Sequence, residues 1–145
     1  MYFVDRKKIE EILEYMDKLL NEINEHNYNS FVHQLALERL TQMIIESIID
    51  VGNMMIDGFI MRDPGSYEDI IDILVDEKVI PGDEEANYKA VINLRKHLVK
   101  EYMQVDHEAL VNTLSENKAI LDKFSTYIRE YLINELGVAN AFSNE

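Results

Sequence analysis

Along most of the chain apolar residues recur every three or four positions, the period of a helix with one buried face. Residues 6–25 show it cleanly. Ile9, Ile12, Leu13, Met16, Leu19, Leu20 and Ile23 share one stripe, and charged side chains fill the opposite side. Asp5 stands where an N-cap belongs, and Val4 can pack on Ile9 across it. A second helix is predicted over 30–61, and it differs in kind. Leu37, Leu40, Ile44, Ile48, Val51, Met55 and Phe59 form a stripe, yet Met43, Ile49, Met54, Ile60 and Met61 lie off it. A helix that is apolar around most of its circumference is buried on more than one side. This one is either the central helix or a subunit interface.

Arg62-Asp63-Pro64-Gly65 reads as a turn. Ser66 then caps a short third helix, with Asp69 completing an approximate capping box and Ile70, Ile71, Ile73 and Leu74 facing inward. Val79-Ile80-Pro81-Gly82-Asp83 ends it. A fourth helix is predicted over 84–104. A fifth, capped by Asp106, runs to Glu135 with Leu110, Leu114, Leu121, Phe124, Ile128 and Tyr131 inward. Gly137 is a natural stop. The expected organisation is one all-α bundle over residues 1–136 and a frayed tail over 137–145. No run alternates apolar and polar residues long enough to make a strand. The surplus apolar surface of helix two predicts a homodimer through helices two and four.

Composition narrows the picture. At 145 residues and 47% apolar, the chain can bury one core without staples. It has no cysteine, so no disulfide or thiolate metal site, and this fits a cytoplasmic protein. No apolar leader follows the start. The most apolar stretch, Met43 to Met61, is interrupted by Glu46, Asp50, Asn53 and Asp57 and does not read as a membrane span. A formal net charge of −14 argues against broad nucleic-acid binding, so any RNA contact must come from a local cationic patch. The candidate runs from Arg95 to Lys100. The glycines are too scattered for a phosphate loop, and no His-Glu-x-x-His or Glu-x-x-His pair occurs. Asp106-His107-Glu108 is more simply a helix start than a metal cluster. No metal or cofactor is expected.

Residues 93–102 carry the chemistry. On a continuous helix with Val91 at zero, Leu94, Leu98, Val105 and Tyr102 fall on a core stripe from about 300° to about 20°. Arg95 falls at its edge, and Lys96, His97 and Lys100 lie on the far side. In the plainest reading Tyr102 is core and the three cations are a solvated face. Arg95 resists that reading, because a guanidinium beside a core must be paired or reach water. Helix two offers Glu46, Asp50, Asn53 and Asp57 on one polar stripe, and Arg95 is predicted to pair with Asp50 or Glu46, within or across subunits, with Asp50 preferred.

The run Arg95-Lys96-His97-Leu98-Val99-Lys100-Glu101-Tyr102 resembles the signature of the HepT-like branch of the HEPN ribonucleases: Arg, four residues, His, any residue, Tyr. Arg95, Leu98, Val99 and Tyr102 match, Lys96 stands where Asn is common, and Lys100 stands in place of the His. Leu37 to Asp50 resembles the family's second helix, and Ser66 to Pro81 its short third element. The resemblance implies an up-and-down helical bundle, usually a twofold dimer, that cleaves RNA (tRNA or mRNA) without a metal. It also implies an MNT-type nucleotidyltransferase antitoxin that neutralises the toxin by adenylylating the motif tyrosine. On this chain Arg95 would hold the scissile phosphate and Tyr102 would be the modified residue. Lys100 would occupy the acid/base position, with Asp50, Glu46, Lys96 and His97 in support.

Lys100 alters the chemistry. Histidine exchanges protons near its pKa of ~6.5, whereas lysine starts near ~10.4. Cationic neighbours such as Arg95 push it down, and Glu101 and Asp106 push back. A lysine still stabilises anionic charge. His97 is two residues from Arg95, about 200° round a continuous helix. Two functions are therefore open: a ribonuclease toxin weakened at Lys100, or a non-catalytic dimeric binding module that keeps the fold and the antitoxin or RNA partner.

Overall fold

The computed structural model describes residues 4–143, with side chains as far as residue 135. Its regular structure is helical throughout: α1 (Arg6–Leu20), α2 (Phe31–Gly58), α3 (Tyr67–Asp76), a 3₁₀ turn (Gly82–Glu84), α4 (Glu85–Ile92), α5 (Arg95–Val99), α6 (His107–Leu121) and α7 (Phe124–Ser143). The five expected rods are present, but the fourth and fifth are each broken once.

Side-chain caps start four of these helices. Asp5, Ser30, Ser66 and Asp106 accept from the backbone N–H of Lys8, His33, Asp69 and Ala109 at 3.0–3.1 Å. Helix α1 stops earlier than expected. Glu22 and Ile23 bond three residues back, and Asn24 takes a φ of 71°, which an asparagine tolerates. Helix α7 runs on through Gly137, where a stop was expected, to Ser143.

The breaks have no proline or glycine to announce them. Between α4 and α5, Asn93 and Leu94 keep right-handed helical dihedrals, but Leu94 bonds back three residues to Val91. Lys123 does the same to Ile120 between α6 and α7. Each break is a local tightening to 3₁₀ bonding. At the first, the Asn93 side chain donates to Glu68 on α3.

Helix α2 is the central element. Helices α1, α3, α5 and α6 pack around it, and Ile44, Ile45, Ile48, Ile49, Val51, Met55 and Ile56 are all buried. The surplus apolar surface that suggested a dimer along this helix is largely covered within the chain. Its exposed large apolar residues are Phe31, Val32 and Leu35, in its first turns. Gly52 explains how close α3 comes, since a Cβ there would run into Ile70 Cγ2. Just past the end of α2, Ile60 holds a φ of 57° while 76% exposed. That conformation is costly for a β-branched residue.

Candidate functional site

Three helices meet at Arg95. It opens α5, and its side chain is 27% exposed, at the edge of the core formed by Leu94 and Leu98. Its Nε donates to Glu46 Oε1 on α2 at 2.7 Å. The guanidinium carbon lies 4.7 Å from the ring centre of Tyr67, the first residue of α3, within cation–π range. The Glu46 bond raises the Arg95 pKa above its ordinary value, against the opposing effect of burial. The charge is therefore permanent. Among the described residues Arg95 makes no other hydrogen bond, so both terminal nitrogens are left for a ligand.

A cleft of about 340 Å³ adjoins this constellation, lined by Tyr67, Glu68, Asn93, Arg95, Lys96 and Lys100 among others. Three of these are cations and one is a carboxylate, and Glu68 is engaged by Asn93. Lys96 and Lys100 are exposed, as the helical projection placed them. Lys100 is also the C-cap of α5, its N–H bonded to the Lys96 carbonyl at 2.9 Å. His97 is engaged elsewhere: its Nδ1 pairs with Glu101, beside a separate hollow that it shares with Lys100 and Met103.

Two expectations need correction. Arg95 pairs with one of the two carboxylates expected of it, but the partner is Glu46, not the preferred Asp50. The two carboxylates are one turn apart on α2, and periodicity cannot say at which level α5 crosses. Asp50 lines a hollow of about 260 Å³ between α1 and α2, with Lys8, Tyr15 and Ser47. Burial and the charge of Glu46 push its carboxyl pKa up, and Lys8 pulls it back. The second correction is Tyr102, expected in the core stripe beside Arg95. Helix α5 ends at Val99, so the projected azimuth does not apply, and Tyr102 lies in the following turn with 64% of its surface exposed. The aromatic ring beside Arg95 belongs to Tyr67. Its only trace in the sequence was its place directly after the cap Ser66.

The segment from Arg95 to His107 is pinned along α2 at two levels: by Arg95 on Glu46, and by His107 Nε2 on Glu38 Oε2 at 2.8 Å. Among the described residues no group of three or more acidic or histidine side chains is placed to hold a metal. No helix there is long and apolar enough to cross a membrane.

The family model described as "Ribonuclease HepT-like" matches residues 9–128, a span containing every residue of this site. The chain belongs to the HepT-like family. The "Putative RNase YutE" of Bacillus subtilis (strain 168) is 46% identical over 143 residues, 98% of this chain and 99% of that protein. A solved structure of YutE, described as a cytosolic protein of unknown function, superposes with a TM-score of 0.91 over 94% of this chain and 96% of that one. Two more distant structures share the fold. One is a toxin–antitoxin structure with AMP-PNP, 17% identical with a TM-score of 0.72 over 83% of this chain and 96% of that one. The other is a tri-AMPylated Shewanella oneidensis HEPN toxin in complex with an MNT antitoxin. It is 19% identical, with a TM-score of 0.71 over 86% of this chain and 95% of that one. The all-α HEPN-like architecture read from the sequence is thus the architecture of this family.

Proposed function

We propose that this HepT-like chain is a metal-independent RNA endonuclease, the toxin of a pair completed by an MNT-type nucleotidyltransferase. The observation that carries this reading is Arg95, held by a single Nε bond and a ring face beside a cleft with two lysines. Its terminal nitrogens can donate to the non-bridging oxygens of a phosphodiester and stabilise the charge that builds as a ribose 2′-oxygen attacks phosphorus. Lys100, as an ammonium, can donate a proton to the departing 5′-oxygen. While charged it cannot accept the proton of the 2′-hydroxyl, which therefore passes to solvent hydroxide or water as the 2′-oxygen bonds to phosphorus. Catalysis is accordingly slow relative to a histidine at this position.

Tyr102 is the proposed acceptor of an adenylyl group. Its exposure supports this, since a transferase could reach it without opening the core. A homodimer is proposed as well, with its basis moved from the length of α2. Phe31, Val32 and Leu35 on α2, with Val99, Tyr102 and Met103 inside the segment pinned along it, are exposed apolar residues a second copy could cover. The alternative, a non-catalytic dimeric module that binds the antitoxin or RNA, draws on Lys100 standing where the family motif has histidine.

Purified protein is to be incubated with tRNA and mRNA in EDTA, beside Arg95→Ala and Lys100→His. Cleavage that Arg95→Ala abolishes and Lys100→His increases is expected. A correctly folded Lys100→His that cleaves nothing would favour the binding module.

A further inference from the structure

Tyr67 lies outside the family's Arg-to-Tyr motif, yet it shares the cleft. Its ring faces the guanidinium of Arg95, and 47% of its surface is exposed. The tyrosine is held there by its own helix: Ser66 caps α3, and Asn93 Nδ2 joins Glu68, the next residue, to the end of α4. The cleft therefore places an exposed aromatic ring, packed on the Arg95 guanidinium, among three cationic side chains, on a chain whose net charge is −14. Cations that follow a phosphate backbone next to a flat ring on which a base can lie are the parts of a single-strand site. In a duplex the base faces are already stacked on their neighbours, so a ring of this kind selects strands whose bases can splay out.

Resting on the RNA-cleaving reading above, we infer that Tyr67 is a nucleobase-stacking residue that makes unpaired RNA the substrate of this cleft. A base next to the phosphate held by Arg95 lies on the tyrosine ring, and the two contacts fix that nucleotide between α3 and α5. Tyr67 is thus a specificity-determining residue, with no part in the proton transfers.

The test uses 2′-O-methyl RNA strands, which bind but lack the attacking hydroxyl. One carries a single 2-aminopurine, a second has an abasic residue at that position, and a third presents the 2-aminopurine strand as a duplex. The full-length protein is titrated against each. The single strand is expected to bind with quenching of 2-aminopurine, and the abasic strand and duplex to bind about tenfold more weakly. Tyr67→Leu should erase the preference of base over abasic site, and Tyr67→Phe should keep it. Arg95→Ala should weaken base-bearing and abasic strands alike. If Tyr67→Leu weakens both strands equally, the tyrosine only positions Arg95 and stacking is overturned. Arg95-dependent binding that ignores Tyr67→Leu overturns it as well, while leaving the ribonuclease reading intact. Absence of Arg95-dependent binding to any strand overturns that reading, and this inference with it.

Discussion

Arg95 and Arg129 are both partly buried and both paired to a glutamate on another helix, yet the two sites are built for different ends. Arg129 on α7 grips Glu10 of α1 with a filled fork: Nε to Oε1 at 2.8 Å and Nη2 to Oε2 at 2.8 Å, with Asp17 at 3.8 Å from Nη1. The hollow beside it, about 480 Å³, is the larger of the two. Arg95 spends only Nε on Glu46 and leans its face on Tyr67. Cavity size would choose Arg129. Hydrogen-bond accounting chooses Arg95, because a guanidinium whose donors are satisfied within the protein has little left for a phosphate. Both guanidinium pKa values are raised by their carboxylate, so charge alone does not separate them.

The strongest way to break this comparison is to remove each arginine and measure RNA cleavage. Arg95→Ala is expected to lower the rate by at least about 100-fold, far beyond what its modest loss of stability would cause in a folded protein. Arg129→Ala should cleave at the wild-type rate while folded. A reversal of that order would move the site to the α1–α7 hollow.

Next in size is Gly52→Ala, expected to cost about 1–3 kcal/mol as the new methyl group meets Ile70. It acts on one arginine only, because α3 carries Tyr67 over Arg95 and the Glu10–Arg129 pair lies elsewhere. Combining it with Ile70→Ala in urea titrations should give less destabilisation than the two losses added. Full additivity would mean that Gly52 does not set the α2–α3 approach.

Smaller still is the stability effect of Arg129→Ala itself. Its pair is more than a third exposed on both sides, so about 1 kcal/mol is expected. A loss several times larger would show the fork to be far more than a surface clasp.

The smallest effect concerns a second filled fork, Arg62 on Asp69 at 2.7 and 2.8 Å. Arg62 and the Gly65 N–H hold the Asp69 carboxyl well below the usual carboxylate range. The unfolded chain therefore takes up this proton first as pH falls, and the contribution to stability present at neutral pH is lost on acidification. The melting-temperature gap between wild type and Asp69→Asn should narrow below about pH 4. A gap independent of pH would remove Asp69 as its source.

What could be read in the chain beforehand follows from which residues act locally. The α1 stripe, three of the four capping residues and the inward leucines of α6 depend on neighbours three or four positions away, and they were legible. So was Arg95 at the edge of the core, since Leu94 and Leu98 fix that edge. The breaks at 93–94 and 122–123 were not, because backbone that stays right-handed leaves the apolar period almost undisturbed. Tyr102 was misplaced for that reason: an azimuth carried across Val99 has no meaning once the helix has ended. The choice of Glu46 over Asp50, and the arrival of Tyr67, depend on how α3 and α5 cross α2. That is set by packing such as the missing Cβ of Gly52, and no short-range pattern encodes it.

The cationic cleft is a small island on a strongly acidic molecule, and this has a kinetic consequence. A polyanion approaching from afar meets net repulsion, and the attraction of Arg95, Lys96 and Lys100 prevails only at short range. Dissolved ions shorten the reach of the repulsion, to about 10 Å at 0.1 M, before they weaken contacts at hydrogen-bonding distance. Encounter with RNA should therefore quicken when a little salt is added to a very dilute buffer. A basic nucleic-acid binder, drawn in by its long-range field, slows under the same change.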